Sequence, residues 1–255
     1  MSKLVAENLV KKFPRFTLKV DYLEFREGIH VIVGPNGSGK TVLIKLLSGA
    51  LRPSRGRVTY ISGSLQVKNS KILQYATIVT ADLNLPNWRV EHLLEAYTGK
   101  SPTDIIEIAK EYRIREFLSK RYEDLSSGYK KRVQIAIALN TPADIIMLDE
   151  PFINVDTEYV SFLESKILNQ KGKIIIVASH IPTKLLEHEI IALQDGVILF
   201  KGKIPSLLSK LVEIRSEGGN RSLVEVLEKC ELRGEVRIKS LLEIIRENSN
   251  LNLSK

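Results

Sequence analysis

The sequence has little of several residue types on which whole classes of proteins depend. Its 255 residues include one cysteine, Cys230, and four histidines, which excludes an intramolecular disulfide and leaves no plausible zinc cluster. No apolar run approaches the roughly 20 residues that a membrane-spanning helix needs, so any work at a membrane would require a partner. Aromatic residues make up 6% of the chain. Short basic clusters such as Lys130–Arg132 carry no interleaved aromatic residues for stacking bases, and we expect no nucleic-acid partner.

The composition is that of an ordinary globular protein. It is 44% hydrophobic and 27% charged, and its length suffices for one large domain with a buried core plus an appendage. The first residues, MSKLVAENLVKKF, lack the apolar core and small-residue cleavage site of a secretory signal, so we expect a cytoplasmic protein. The net charge of +8 lies mainly before residue 205, and we interpret it as a solvated basic face.

Hydrophobic periodicity predicts an α/β fold. The first forty residues predict two strands joined by a turn, followed by a buried strand at Ile29–Val33, a loop and a helix. Residues 86–140 are predicted to be mostly helical, because their apolar residues recur at spacings of three and four. Two fully apolar runs, Ile145–Leu148 and Ile174–Ala178, are typical of a mostly parallel sheet with crossover helices.

The pattern changes after residue 204. Short amphipathic stretches follow, which are broken at Gly218-Gly219. We therefore predict one main domain over residues 1–204 and a helical C-terminal extension over residues 205–255.

The most informative stretch is GPNGSGKT, which lies between the buried strand and the helix that follows it. Glycines let backbone N–H groups turn inward around phosphate oxygens, and the start of the helix adds a favourable dipole. Lys40 is expected to reach the β- and γ-phosphates, and Thr41 to offer its hydroxyl to Mg²⁺. The predicted nucleotide-binding residues are Gly34, Pro35, Asn36, Gly37, Ser38, Gly39, Lys40 and Thr41. A surface glycine turn is the competing interpretation.

A second motif, IIMLDE, ends a predicted central strand in two carboxylates. Ligands of open α/β sheets bind at the carboxyl ends of the strands. We expect Asp149 to hold Mg²⁺, directly or through water, and Glu150 to orient or deprotonate an attacking water beside the γ-phosphate. The alternative is a strand end with two solvated acids.

Between these motifs lies LSSGYKKR, and here the sequence resembles the ABC ATPase family, whose signature usually reads LSGGQ followed by basic residues. The resemblance covers about Lys3 to Lys203. It is carried in order by GPNGSGKT, LSSGY, IIMLDEP, the INVD segment ending at Asp156, and IIIVASH ending at His180. It implies a phosphate-loop core sheet, a small antiparallel β part near the N-terminus, and a helical subdomain holding the signature over about 86–140.

The resemblance also implies a head-to-tail dimer, formed with itself or with a related chain. In that dimer the signature segment of one subunit closes on ATP held by Lys40 of the other. The segment comprises Ser126, Ser127, Gly128 and Tyr129. Asp156 resembles the family's cross-interface aspartate, and His180 resembles its histidine that contacts the γ-phosphate. Taken alone, the Ser-Ser-Gly sequence is equally suited to capping a helix, and a histidine after a strand is usually structural.

One aromatic residue is expected to stack on adenine in this family. Phe13 could be that residue, although Phe16 is close enough to compete. Either could instead be a core residue of a strand. The choice between them therefore stays open.

The sequence departs from the family pattern in two places. The family normally carries a glutamine that touches Mg²⁺ and the attacking water, and Ala81 or Asp82 aligns with it here. Asp82 could still offer an oxygen to Mg²⁺ through water, although its charge could also slow hydrolysis. The second departure is Ser127 and Tyr129 in place of the signature's Gly and Gln, which we expect to change interface packing while phosphate contact survives.

Since Lys40, Asp149, Glu150 and His180 are all present, the resemblance implies an ATPase that uses ATP and Mg²⁺. Our first hypothesis is the motor subunit of an ABC membrane transporter, of exporter type by family analogy, that works at the cytoplasmic membrane on a separate permease. Residues 82–91 would lie in its docking groove. The alternative is a soluble non-transport ABC ATPase such as an iron–sulfur assembly subunit. A nucleotide-sensing regulatory module is a third possibility.

Overall fold

The computed structural model describes residues 1–153, 155–179 and 184–203. Its N-terminal part is antiparallel. Strands β1 (Lys3–Phe13) and β2 (Phe16–Arg26) form a long hairpin, and β4 (Arg55–Ser62) and β5 (Leu65–Lys68) extend it beyond β1. Alternate residues of β2, such as Leu18 and Val20, are buried, as the period-two pattern predicts for a sheet with one covered face.

The second part of the sheet is parallel and forms the centre of the molecule. Its strands are β3 (Gly28–Val33), β6 (Ala76–Val79), β7 (Ile145–Asp149), β8 (Ile174–Ser179) and β9 (Glu189–Gln194), with β10 (Val197–Gly202) antiparallel to β9. The strand order is β5-β4-β1-β2-β10-β9-β3-β8-β7-β6. Every residue of β7 and β8 is buried, because helices cover both faces of the sheet there.

In the part of the chain that the structure describes, five α-helices pack on this sheet. They are α1 (Lys40–Leu47), α2 (Val90–Thr98), α3 (Pro102–Glu111), α4 (Ser127–Asn140) and α5 (Thr157–Leu168). Short 3₁₀ turns lie at Asn69–Gln74, Arg115–Phe117, Tyr122–Asp124 and Lys184–Glu187. One buried hydrophobic cluster packs α1 against one face of the sheet. A second cluster packs the other four helices, α2, α3, α4 and α5, against the opposite face. The site described below lies at the carboxyl ends of β3 and β7, next to the starts of α1 and α4.

The α/β fold predicted from the sequence is confirmed. The buried runs at Ile145–Leu148 and Ile174–Ala178 are adjacent parallel strands, and the region 86–140 consists of α2, α3 and α4 with turns between them. The extension predicted over 205–255 lies outside the described residues. Among the helices that the structure describes, none is long and apolar enough to cross a membrane.

Candidate functional site

The loop from Gly34 to Gly39 turns directly from β3 into α1. The ammonium of Lys40, the first residue of α1, is held inside the loop. It donates to the main-chain oxygen of Gly34 at 2.8 Å and to that of Pro35 at 3.3 Å. Only 6% of Lys40 is exposed. The loop therefore holds a buried positive charge at the N-terminus of a helix, where backbone N–H groups and the helix dipole also favour an anion.

Two glycines, Gly39 and Gly34, allow the loop to pack closely against neighbouring strands. Gly39 has φ +105°, and a Cβ added there would lie 2.7 Å from the Phe16 ring. A Cβ at Gly34 would lie 2.2 Å from the main-chain oxygen of Leu193 on β9. Gly37 also has a positive φ of +83°, but the space beside it is open. The loop is thus packed against β2 and β9 on its protein side and open at Gly37.

Asp149 ends β7 beside the start of α1. The hydroxyl of Thr41 donates to Asp149 Oδ2 at 2.6 Å. The other carboxylate oxygen, Oδ1, is buried and has no hydrogen-bond partner among the described residues. Burial raises the pKa of Asp149 and the charge of Glu150 adds to the increase, although the Thr41 hydrogen bond opposes it. A buried carboxylate oxygen with a spare lone pair next to a hydroxyl suits a hard cation such as Mg²⁺.

Glu150 follows Asp149 in a left-handed backbone conformation with φ +49°. Its amide donates to the main-chain oxygen of Ala178 on β8 at 2.9 Å, which anchors the turn. The side chain lies toward the phosphate loop, where Oε1 is 3.2 Å from Lys40 Nζ. A non-glycine residue in this conformation is strained, and such residues concentrate at functional sites. The structure therefore brings Lys40, Thr41, Asp149 and Glu150 into one site.

A cleft of about 390 Å³ opens in front of these residues. Thr41, Asp149 and Glu150 lie on its core side, and Ser127, Gly128 and Lys131 from the start of α4 lie across from them. The remaining lining residues are Ala81, Leu83, Asn84, Tyr122, Lys130, Gln134 and Ile153. Within this cleft the ammonium of Lys131 donates to the main-chain oxygen of Asp149 at 2.9 Å.

The signature segment begins α4. The Ser126 hydroxyl caps the helix, accepting from the amide of Tyr129 at 3.5 Å. Gly128 faces open space, since no atom of the described residues lies within 4 Å of a Cβ added there. The Tyr129 ring packs on Phe117 with centroids 4.1 Å apart, in a tilted arrangement. Within this single chain Ser126 thus serves as the helix cap that the sequence offered as an alternative, and Tyr129 packs inside the helical region.

Asp156 caps the next helix. Its carboxylate accepts from the amide of Tyr159 at 2.8 Å and lies 3.6 Å from Arg132 and 3.9 Å from Arg113. The side chain is about half exposed, at 54%. The Tyr159 amide lowers the pKa of Asp156, and the two arginines contribute. Asp156 is therefore ionised, partnered within the chain and accessible from outside. His180 lies outside the described residues.

The two candidate aromatic residues face each other across the end of the β1–β2 hairpin. Phe13 and Phe16 are paired in register, and their ring centroids are 6.2 Å apart. Phe13 is 39% exposed, with the ammonium of Lys11 5.6 Å from its ring centroid. Phe16 contacts the phosphate loop at Gly39. The more exposed ring is that of Phe13, and the ring nearer the loop is that of Phe16.

Asp82 is paired with a lysine on α1 and not with a residue of the Asp149 site. Its carboxylate forms an ion pair with Lys45 on α1, and the hydrogen bond from Lys45 holds the pKa of Asp82 below its usual value. Its side chain is 65% exposed. Ala81, the other residue aligned with the family's glutamine, lines the cleft.

Sequence reasoning missed Lys131 and Gln134. Gln134 is buried and donates to the main-chain oxygen of Leu83 at 2.9 Å and to the Tyr122 hydroxyl at 2.6 Å. The two residues are three apart on α4, so they share a face. This spacing, directly after the signature segment, could have predicted a polar face of α4 directed toward the cleft. It could not have predicted which main-chain oxygens the two side chains contact.

Comparison with known proteins agrees with this geometry. The profile of the family described as ABC transporter matches residues 20–153. The chain belongs to the ABC transporter ATP-binding family. Its described part is accordingly an ABC ATPase domain, with a nucleotide-binding phosphate loop.

Individual relatives support the same assignment. The uncharacterized ABC transporter ATP-binding protein YybJ of Bacillus subtilis is 30% identical over 182 residues, which are 68% of this chain and 83% of YybJ. Translation initiation factor RLI1 of Saccharomyces cerevisiae is 33% identical over 195 residues. The match covers 75% of this ABC ATPase chain but only 30% of the yeast protein.

A solved structure shares the fold. It is the ADP conformation of an ATP-binding cassette of an ABC transporter, with a TM-score of 0.62 and 26% identity, covering 86% of this chain and 100% of that one.

Proposed function

We propose that this ABC ATPase domain binds ATP with Mg²⁺ and hydrolyses it. The observation that carries the proposal is the convergence of Lys40, Thr41, Asp149 and Glu150 at the carboxyl ends of β3 and β7, two core strands that flank β8. The buried ammonium and the loop amides provide a site for phosphate groups, and the two adjacent acids differ in environment. One is buried against a hydroxyl and the other lies beside the ammonium. Membership of the family supports the same activity.

Each side chain has a separate proposed role. Residues 34–41 bind the phosphates, with Lys40 on the β- and γ-groups. Thr41 and Asp149 hold Mg²⁺, which when bound supplies charge neutralisation between phosphate oxygens. Glu150 accepts a proton from the attacking water or orients it. We further propose that His180 contacts the γ-phosphate and that Phe13 stacks on adenine, with Phe16 as its competitor.

We propose that the working form is a head-to-tail dimer of ATP-binding subunits. In it the signature segment, Ser126–Tyr129, acts on ATP bound to the partner subunit. The open space at Gly128 supports this, because it leaves backbone N–H groups at the start of α4 accessible to an anion. The accessible carboxylate of Asp156 is available for a contact across the same interface.

We propose that the dimer drives a separate membrane permease of exporter type, and that the chain therefore lies at the cytoplasmic face of the membrane. YybJ, by its name an ABC transporter ATP-binding protein, supports a transport role. A groove of about 470 Å³ between β6 and helices α2 and α4 is a suitable docking surface, since Tyr97 and Leu73 line it and are exposed. Residues 1–204 would form the motor domain and 205–255 a helical extension.

Hydrolysis by the purified chain is the direct test. Wild type and Glu150→Gln are compared by phosphate release with Mg²⁺ and ATP, and by light scattering after size-exclusion chromatography with and without ATP. We expect Glu150→Gln to reduce hydrolysis by about 100-fold or more and to shift toward dimer when ATP is present. Equal hydrolysis by the two proteins would contradict the role of Glu150, and a failure of both to bind ATP would overturn the proposal.

A soluble, non-transport ABC ATPase is the second candidate, for example a subunit of iron–sulfur assembly. The likeness to yeast RLI1, a translation initiation factor by name, favours it. A transporter subunit should be recovered with a polytopic membrane protein, whereas a soluble ATPase should not.

A further inference from the structure

Lys131 joins two parts of the ABC ATPase domain that are distant in sequence. It lies on α4, five residues after the helix cap Ser126, and its ammonium donates to the main-chain oxygen of Asp149, 18 residues away, at 2.9 Å. The side chain is partly buried and lines the same cleft as Thr41 and Glu150. The start of α4 is therefore tied to the residue that ends β7.

Two negatively charged side chains lie near the ammonium of Lys131. The carboxylates of Asp149 and Glu150 both attract its ammonium. Lys40 meets Glu150 from the phosphate loop, so Lys131 is a second ammonium that approaches the acid pair from the helical side. One turn further along α4, Gln134 donates to the main-chain oxygen of Leu83. One face of α4 thus contacts the end of β7 and the segment after β6.

We propose that Lys131 is a positioning residue that couples helix α4 to occupancy of the Mg²⁺ site. The inference rests on the proposed role of Thr41 and Asp149 as Mg²⁺ ligands. A divalent cation beside Asp149 repels the Lys131 ammonium and weakens the attraction that holds it there. Coupling free energies are reciprocal, so the tie between α4 and Asp149 disfavours Mg²⁺, and Mg²⁺ loosens the tie. The signature segment at the start of α4 would then move more freely when the metal is present.

The coupling is measured by binding of a fluorescent ADP to the full chain across a Mg²⁺ titration. Lys131→Gln removes the charge, and Lys131→Arg keeps it. The matched control is Lys110→Gln, which removes the same charge from an exposed position on α3. We expect Lys131→Gln to lower the Mg²⁺ concentration at half-saturation by about fivefold, at the lower end of typical coupling. Lys131→Arg should restore the wild-type value, and Lys110→Gln should leave it unchanged.

A second measurement needs no variant. Amide hydrogen exchange of wild type is followed over residues 126–133 at saturating ADP, with Mg²⁺ or with a chelator. We expect faster exchange with Mg²⁺, because the contact to Asp149 weakens. Unchanged exchange, or a Mg²⁺ midpoint of Lys131→Gln equal to that of wild type, would refute the coupling. Wild type without Mg²⁺-dependent ADP binding would instead refute the proposed function on which the coupling rests.

Discussion

Replacement of Asp149 by asparagine should separate stability from function. Asp149 Oδ1 is buried and has no hydrogen-bond partner in the described part of the chain, and burial raises the pKa of the carboxyl group. An unsatisfied buried acceptor costs roughly 1–3 kcal/mol, and more when charged. Asparagine keeps an oxygen that can accept from Thr41 and places a neutral amide group where the charged Oδ1 lies, which costs less to bury than a charge. We expect Asp149→Asn to stabilise the metal-free domain by about 1–2 kcal/mol.

The assay is thermal unfolding followed by circular dichroism in the presence of a chelator. A gain of that size raises the Tm by about 2–8 °C for a domain of this length. Because the pKa of Asp149 is raised on folding, its ionisation lowers stability as the pH rises from the unfolded value toward the folded one. The advantage of asparagine therefore grows as the pH rises above the unfolded value and disappears below about pH 4.

A matched control lies at the other end of the same strand. Asp144 immediately precedes β7, and its carboxylate accepts from the Tyr60 hydroxyl at 2.9 Å. Asp144→Asn should bring no stabilisation. Asp149→Asn should also abolish the effect of Mg²⁺ on ADP binding. An Asp149→Asn domain that is no more stable than wild type at neutral pH, or that keeps its Mg²⁺ dependence, would refute the reasoning.

Substitutions at three further positions test the loop and its surroundings. Gly39→Ala should destabilise the domain by about 1–3 kcal/mol in urea unfolding, and by more than Gly99→Ala, because Gly39 contacts Phe16 whereas Gly99 faces open space. Ser126→Ala should lose about 1 kcal/mol through the helix cap, while Ser126→Asn keeps stability and, if the hydroxyl serves the partner's ATP, lowers hydrolysis in a phosphate-release assay. Phe13→Ala should weaken binding of fluorescent ATP with little effect on Tm, and equal affinity would favour Phe16.

The centre of the site was predictable from sequence because it is built from local patterns. A buried strand followed by a glycine-rich loop and a helix places Lys40 and Thr41 together. A fully apolar run ending in two acids places Asp149 and Glu150 at the carboxyl end of a parallel strand. Since carboxyl ends of parallel strands share one edge of the sheet, the two motifs meet.

Other contacts depend on distances that no local pattern contains. The approach of Lys131 to Asp149 requires α4 to pack beside the end of β7. The pairing of Asp82 with Lys45 depends on where the segment after β6 passes α1. The packing of Tyr129 on Phe117 depends on the turn between α3 and α4. The expectation that Asp82 could reach Mg²⁺ came from alignment to one family position, and it stays a prediction.

The most direct test of the motor hypothesis is purification of the tagged chain with its partners. The chain carries Glu150→Gln, ATP is present throughout, and membranes are solubilised in mild detergent before mass spectrometry. Our account predicts a polytopic membrane protein in stoichiometric amount. Recovery of soluble partners alone, or of a homodimer alone from well-solubilised membranes, would contradict the transporter assignment and favour a soluble ABC ATPase.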